Sequence, residues 1–230
     1  DEGYYYGCSN EGLWPLCHLA YTRPVFRGEH WLRYQKVNEK FAEAAVEELS
    51  GAENPFILIQ DYHYALLARL IKDRRPDARI ALFWHIPWPN PESFAICPWA
   101  REVLEGMLGA DLLGFHIQAH CNNFLDSVDR LLESRIDWEH FAVNRAGRRT
   151  MVRPFPIGIA TPAPSPGGSE GTVHQTARKE IMKGLGMEMK WIGVGVDRID
   201  YTKGISERFR AIEAFLNKYP EFRGQFTFVE

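Results

Sequence analysis

Short apolar runs that alternate with helical patterns constrain the fold of this chain more than any other feature. The runs are rich in β-branched and aromatic residues and cover residues 56–59, 80–84, 112–115, 150–155, 191–196 and 226–229. Continuous runs of this kind are typical of strands buried on both faces of a parallel sheet. Apolar residues at helical spacing precede and separate these runs, as at residues 31–49 and 119–132. This order predicts a doubly wound α/β fold.

One segment interrupts the alternation, because proline, glycine and serine dominate residues 159–174. Such composition is typical of a loop or linker. We therefore predict a first domain over residues 1–158, a linker over 159–175 and the start of a second domain over 176–230. The chain begins without methionine and ends inside a predicted strand, so we expect truncation at both ends.

Composition excludes several classes of partner. The chain has 27 basic and 30 acidic residues, a net charge of −3 and no basic run, which disfavours a nucleic-acid partner. No apolar stretch is long enough to cross a bilayer, so we expect no membrane partner. The sequence leaves a homo-oligomeric state open.

The four cysteines carry no metal-binding or disulfide pattern. None forms a CxxC pair, and the chain is large for so few cysteines: Cys8, Cys17, Cys97 and Cys121. We expect reduced, mostly buried thiols. Reduced thiols indicate a reducing compartment, and we expect a cytoplasmic protein.

Polar residues that directly follow predicted strands are the first candidates for a site, because ligands bind beyond the carboxyl ends of parallel strands. Asp61 follows the run at 56–59, and His85 follows the run at 80–84. Asp61 is either a ligand contact or the cap of the next helix. His85 lies in a proline-stiffened loop with Trp88, and the loop is either a sugar or base contact or a packed turn.

Two cations follow the fifth apolar run. Arg198 and Lys203 precede a predicted helix, and free N–H groups at a helix start suit a diphosphate. Arginine can bind it in a bidentate manner, while lysine adds a point charge. The alternative is a surface ion-pair cluster with Asp197 and Asp200.

An aromatic and polar cluster near the chain start is the fourth candidate. It contains Tyr4, Tyr5, Tyr6, Asn10, Trp14 and His18. Aromatic faces pack against sugar rings, and hydroxyl groups bind phosphate oxygens. The alternative is an aromatic edge of the core.

Two enzyme classes are disfavoured because their motifs do not appear. The sequence has no HExxH motif, which a metal hydrolase would show, and no GxGxxG motif after a strand, which a dinucleotide oxidoreductase would show. A non-catalytic α/β binding module stays open.

Taken together, seven segments in order resemble glycosyltransferase family 20. They are residues 13–18, 34–38, 60–63, 85–89, 109–116, 156–159 and 196–205. The resemblance implies a GT-B fold with two Rossmann-like domains that face each other across a cleft. It implies transfer of glucose, with retained configuration, from a nucleoside diphosphate glucose such as UDP-glucose to glucose 6-phosphate, which forms trehalose 6-phosphate. It implies no metal and no cofactor beyond this co-substrate.

The resemblance also assigns roles on the donor side. Arg198 and Lys203 match the pair that binds the donor diphosphate, and His85 matches the residue that contacts the donor glucose. With Asp61, these three residues form the expected catalytic set.

On the acceptor side, Asp61 matches the acidic residue at the acceptor and reacting centre. Tyr5 and Trp14 match the aromatic pair that holds the acceptor phosphate. The family's amino-terminal strand and glycine-bearing loop are absent, as is an acceptor-phosphate arginine expected just after Glu230. We therefore expect residues 1–230 alone to transfer no glucose.

The acceptor has two alternatives. The residues at 17–18, 96–99 and 116–123 resemble the glucosylglycerol-phosphate synthase branch of the family, which uses glycerol 3-phosphate. A pseudo-glycosyltransferase that couples cyclitols on this fold is the second alternative. Because Tyr5, Trp14 and Asp61 are all present, glucose 6-phosphate is the first expectation.

Overall fold

The computed structural model of the chain describes residues 1–160, 170–186 and 190–230. It divides into two compact units, Asp1–Ile159 and Ala160–Glu230. Residues 161–169 of the predicted linker lie outside the described residues. Helix α7 begins at Glu170, so the predicted linker extends too far. Its last residues include Gly171 and Thr172, poor helix formers whose composition favours a loop.

The first unit alternates helices with strands. A π-helical segment over Glu2–Leu13 precedes all of them. The helices are α1 (Trp14–His18), α2 (Gly28–Glu48), α3 (Leu67–Arg74), α4 (Pro91–Phe94), α5 (Ala100–Met107) and α6 (Gln118–Leu131). The strands are β1 (Phe56–Gln60), β2 (Arg79–Phe83), β3 (Leu112–Phe115), β4 (Arg135–Asp137), β5 (Ala142–Arg145) and β6 (Arg148–Pro154). A single 3₁₀ turn, Tyr62–Tyr64, joins β1 to α3.

The six strands form one sheet in the order β1-β2-β3-β6-β5-β4. Strands β1, β2, β3 and β6 run parallel, with Ile57 opposite Ile80 and Leu113 opposite Val152. Strands β4 and β5 are antiparallel additions beside β6. The parallel strands confirm the predicted α/β class, and they place the carboxyl ends of β1, β2 and β3 along one edge.

The core lies around the central strands, where Ile80, Leu82 and Leu113 are buried. Strand β1 differs from the prediction of burial on both faces, because Phe56 is 78% exposed and Leu58 is 66% exposed. This strand is one of the two edge strands of the described sheet, and α/β packing covers only one of its faces.

All four cysteines are free and buried, as predicted. Burial raises the pKa of Cys8 to about 12 and that of Cys121 to about 11. Such thiols stay protonated near neutral pH and behave as small apolar side chains.

The second unit contains α7 (Glu170–Leu185), β7 (Trp191–Val194), α8 (Ile205–Lys218) and β8 (Phe226–Val229). Strands β7 and β8 pair in parallel. A 3₁₀ turn, Tyr201–Lys203, leads from the end of β7 into α8. Across the described parts of both units, no helix has the length and apolar character that a bilayer crossing needs.

Candidate functional site

The carboxyl ends of β1 and β2 bring Asp61 and His85 together. The Asp61 N–H donates to the Phe83 carbonyl at 2.7 Å. The Asp61 carboxylate accepts from the Tyr62 N–H at 2.8 Å and from the His85 N–H at 3.1 Å. The two predicted strand-end sites are therefore one site, joined through this carboxylate.

Asp61 has an unusual backbone conformation, with φ 74° and ψ 171°. This region is almost exclusive to glycine, and occupying it costs about 1–3 kcal/mol. The bond from the Tyr62 N–H makes Asp61 the cap of the turn Tyr62–Tyr64, so the capping role considered above is real. Capping alone accounts neither for the bond to His85 nor for the strain, which is characteristic of functional sites.

His85 is exposed at the start of its loop. Its Nε2 lies 2.5 Å from the Gln60 Oε1, and its carbonyl accepts from the His116 Nε2–H at 3.0 Å. The rings of His85 and His116 pack edge-on against Phe83, with centroids 4.7 and 5.0 Å from its ring. Three neighbours thus hold the loop start while the imidazole stays accessible.

For Trp88, the structure shows the packed alternative of the two that the sequence left open for its loop. Trp88 is 1% exposed, and its Nε1–H donates to the Ser127 Oγ at 3.0 Å. The stiff loop therefore places His85 outward and anchors Trp88 in the core. The alternation of outward and inward residues in such a loop is not visible in its composition.

The two predicted acceptor aromatics each stack on an imidazole. The Tyr5 and His63 rings are 5.2 Å apart with an interplanar angle of 10°. The Trp14 and His18 rings are 3.8 Å apart with an angle of 26°. The His18 Nδ1–H donates to the Trp14 carbonyl at 2.8 Å, since a carbonyl can only accept. The two histidines back the aromatic rings, a role that sequence reasoning did not assign.

Electrostatics links these stacks to Asp61. Burial lowers the pKa of both His18 and His63, and the Asp61 carboxylate opposes that shift in each. The charge of Asp61 therefore reaches both imidazoles. Tyr5 and Trp14 thus stack on the two imidazoles that the Asp61 charge affects, and their acceptor role stays a prediction.

The lowered pKa values predict how stability depends on pH. An unfolded histidine titrates near pH ~6.5, so between that pH and the lower folded values the unfolded chain binds more protons. Stability then rises with pH in this window, and unfolding should become easier as the pH falls from about 7 to about 5. Urea unfolding at pH 7, 6 and 5 measures this effect.

A His63→Gln variant is the control for that titration. Removing this imidazole should make the free energy of unfolding depend less on pH, because one of the groups that gains a proton on unfolding is gone. Equal stability at pH 7 and pH 5, or an unchanged slope in the variant, would contradict the assignment.

In the second unit, Arg198 and Lys203 are exposed in the segment between β7 and α8. Among the residues that the structure describes, neither forms an ion pair with a carboxylate. Asp200 instead caps the turn Tyr201–Lys203 by accepting from the Thr202 N–H at 2.9 Å and from its Oγ1–H at 2.8 Å. These two hydrogen bonds lower the pKa of Asp200, and the charges of Arg198 and Lys203 add to the effect.

The Asp197 carboxylate is also bound, in this case by an arginine of α8. Arg208, on α8, donates from Nη2 to the Asp197 Oδ2 at 2.5 Å. Its Nη1 donates to both Glu230 oxygens, at 2.6 and 2.7 Å. A Cβ at Gly195 would lie 2.3 Å from the Arg208 Nη1. The absence of a side chain at this glycine therefore leaves space for the Arg208 guanidinium. The ion-pair cluster considered above is therefore not what forms: Arg208 binds Asp197, and Arg198 forms no ion pair within the described residues.

Arg208 was missed by sequence reasoning. The available signal was an arginine one helical turn after Gly204, on the helix that follows the cation pair. Its i,i+4 relation to Gly204 places it over the helix start, where acidic residues at the ends of β7 and β8 converge.

The comparisons with known proteins agree on one family. The sequence profile of glycosyltransferase family 20 matches residues 1–230. The trehalose-6-phosphate synthase of Mycolicibacterium gilvum is 40% identical over 222 residues, which cover 94% of this chain and 43% of that relative. The chain thus spans less than half the length of this curated relative.

Solved structures are similar over almost the whole chain. One, from Burkholderia xenovorans, is an alpha,alpha-trehalose-phosphate synthase (UDP-forming) in complex with glucose-6-phosphate. It has a TM-score of 0.78 and 26% identity, covering 99% of this chain and 50% of that one. Another, trehalose-6-phosphate from E. coli bound with UDP-2-fluoro glucose, has a TM-score of 0.77 and 30% identity, covering 99% and 49%.

These likenesses confirm the predicted α/β fold class of GT-B type. The profile match extends from the aromatic cluster through the strand-end site to the cation pair and β8. The chain belongs to glycosyltransferase family 20.

Proposed function

We propose that the chain serves a retaining glucosyltransferase that moves glucose from a nucleoside diphosphate glucose to glucose 6-phosphate and forms trehalose 6-phosphate. The observation that carries this proposal is the exposed pair Arg198 and Lys203. Both are exposed in the segment that leads from β7 into α8, and neither forms an ion pair with a carboxylate in the described part of the chain. The names of the relatives, trehalose-6-phosphate synthases, support the same reaction.

On the donor side, Arg198 and Lys203 bind the diphosphate. Helix α8 begins after Gly204 with no side-chain cap, so its first N–H groups are free for phosphate oxygens. As the bond between glucose C1 and the phosphate oxygen breaks, negative charge grows on the diphosphate. Two fixed cations stabilise that charge more in the transition state than in the ground state. His85, exposed at the end of β2, contacts the donor glucose.

On the acceptor side, Tyr5 and Trp14 hold the phosphate end of glucose 6-phosphate. Asp61 accepts hydrogen bonds from the sugar and orients the attacking hydroxyl. Its second carboxylate oxygen is available, because both backbone donors bind Oδ1. The two N–H bonds to Oδ1 hold the carboxylate in place before substrate arrives, and such preorganisation favours reaction.

The reaction needs no protein nucleophile. The acceptor hydroxyl attacks C1 from the face that the diphosphate leaves, so the configuration is retained. The C1–oxygen bond electrons pass to the leaving diphosphate, and one of its oxygens takes the hydroxyl proton. We propose that transfer requires no metal or other cofactor, since the two cations supply the charge that a metal would otherwise provide.

A transfer assay with the complete gene product tests the function. We expect trehalose 6-phosphate, identified by mass and by anomeric NMR signals, from glucose 6-phosphate and a nucleoside diphosphate glucose, with EDTA present. UDP-glucose is the first donor to test, because the E. coli structure holds a UDP-glucose analogue. GDP- and ADP-glucose are the comparison donors.

Three outcomes would contradict parts of this proposal. A product from glycerol 3-phosphate but none from glucose 6-phosphate would overturn the acceptor. Tight nucleotide binding without any transfer would indicate a binding module. Loss of transfer in EDTA, restored by a divalent metal, would overturn the metal-free mechanism.

We also infer a cytoplasmic setting. Its support is the four buried cysteines, all free thiols, which are typical of proteins in reducing compartments.

A further inference from the structure

Tyr34 is a buried tyrosine whose hydroxyl serves the backbone of another element. It lies on α2 and is 0% exposed. Its hydroxyl donates to the Tyr62 carbonyl at 2.5 Å and accepts from the Ala65 N–H at 2.9 Å. Burial raises the pKa of Tyr34 well above its usual value, so the hydroxyl keeps its proton and continues to donate.

Asn38, one helical turn later, acts on the next peptide. It is also 0% exposed. Its Nδ2 donates to the His63 carbonyl at 3.2 Å and to the Tyr34 carbonyl at 3.0 Å. The Tyr4 hydroxyl donates to the same His63 carbonyl at 3.2 Å. The short turn after Asp61 is thus held from behind by side chains of α2 and of the amino-terminal segment.

These bonds restrain the backbone next to Asp61. This matters because Asp61 adopts a backbone conformation that residues other than glycine disfavour. With φ at 74°, the residue returns to an ordinary conformation if the chain on either side can move. The Phe83 carbonyl holds the peptide before it. Tyr34 and Asn38 hold the peptides after it.

We propose that Tyr34 and Asn38 are positioning residues that fix the Asp61 carboxylate for glucosyl transfer; the inference rests on the proposed function. Neither side chain reaches solvent, so neither contacts substrate. A phenylalanine would fill the same space as Tyr34 but would lack the hydroxyl. That hydroxyl bonds to two backbone groups of the turn, so its contribution is to hold the turn in place. The motif at residues 34–38 thus acquires a role through its contacts.

Tyr34→Phe tests the proposal, with Thr150→Val as the matched control. Thr150 is 3% exposed, and its hydroxyl also binds backbone carbonyls, at Leu108 and Ala110. Those partners precede β3, at the opposite end of the strands from Asp61. We expect Tyr34→Phe to lower kcat by about 10- to 100-fold, with the donor KM nearly unchanged. We expect Thr150→Val to lower stability without this loss of kcat.

A double-mutant cycle separates positioning from loss of structure. In an Asp61→Asn background, Tyr34→Phe should reduce kcat by less than about twofold, because the carboxylate that it positions is already gone. A full additional loss in that background, or equal kcat for Tyr34→Phe and Thr150→Val, would overturn the proposal.

Amide hydrogen exchange decides the inference independently of activity. Within the described residues, the His85 N–H is hydrogen-bonded to the Asp61 carboxylate, which links it to the turn. Exchange at His85 should therefore become faster in Tyr34→Phe and not in Thr150→Val. An unchanged His85 amide would overturn the proposal even in an active enzyme. If the protein transfers no glucose, the proposed function fails, while this measurement still tests the positioning.

Discussion

Replacing Arg198 with alanine is expected to lower kcat by about 10²- to 10³-fold and to leave the urea midpoint of unfolding unchanged. The side chain is exposed and forms no ion pair within the described residues, so folding does not depend on it. Its neighbour Asp197 is bound by Arg208 and not by Arg198. In the proposed mechanism, the charge of Arg198 stabilises the leaving diphosphate. Steady-state kinetics and urea unfolding of the same preparations measure both quantities.

Arg210→Ala is the matched control for that variant. Arg210 is also an exposed arginine of the second unit, on α8, and its nearest acidic partner is Glu207 at 3.9 Å. Removing it should leave kcat within about twofold, as for most exposed substitutions. Equal losses in the two variants, or an unchanged rate in Arg198→Ala, would mean that Arg198 contributes no more than general surface charge.

Asp61→Asn is expected to have the second large effect, a fall in kcat of about 10²-fold or more. The amide keeps an oxygen that can accept from the Tyr62 and His85 N–H groups. Asparagine also tolerates positive φ better than most residues. The variant therefore removes charge while keeping the cap, and stability should change little. Kinetics with varied glucose 6-phosphate separates kcat from the acceptor KM.

Two further measurements examine this variant. NMR titration should show that the pKa values of His18 and His63 fall below their wild-type values, because the carboxylate that raises them is lost. Asp126→Asn, an exposed substitution on α6, should change neither pKa nor kcat. A wild-type rate in Asp61→Asn would restrict Asp61 to the capping role.

The parallel strands were predictable from sequence because apolar runs record burial directly. The runs at 80–84 and 112–115 became β2 and β3. The antiparallel strands β4 and β5 were not predicted, since they are short and polar at several positions. Burial on both faces failed for β1, because strand order decides which strand is outermost, and local sequence does not encode that order.

The site residues followed from strand ends, but their partners did not. Asp61 and His85 were each predicted, whereas the bond between them depends on β1 lying beside β2. Sequence spacing could not decide whether Arg198 pairs with Asp197. The carboxylate of Asp197 is bound by Arg208, which lies eleven residues after it in the chain. Tyr34 was part of a recognised motif, yet its role depends on contacts with residues far along the chain.

Calorimetric titration of a nucleoside diphosphate into the complete gene product tests most directly that the cation pair binds the donor. Wild type and Arg210→Ala should bind with the same affinity. Arg198→Ala and Lys203→Ala should each bind about tenfold or more weakly, as expected for the loss of a charge-assisted phosphate contact. Equal affinity in all four proteins would contradict the assignment of the diphosphate to residues 196–205.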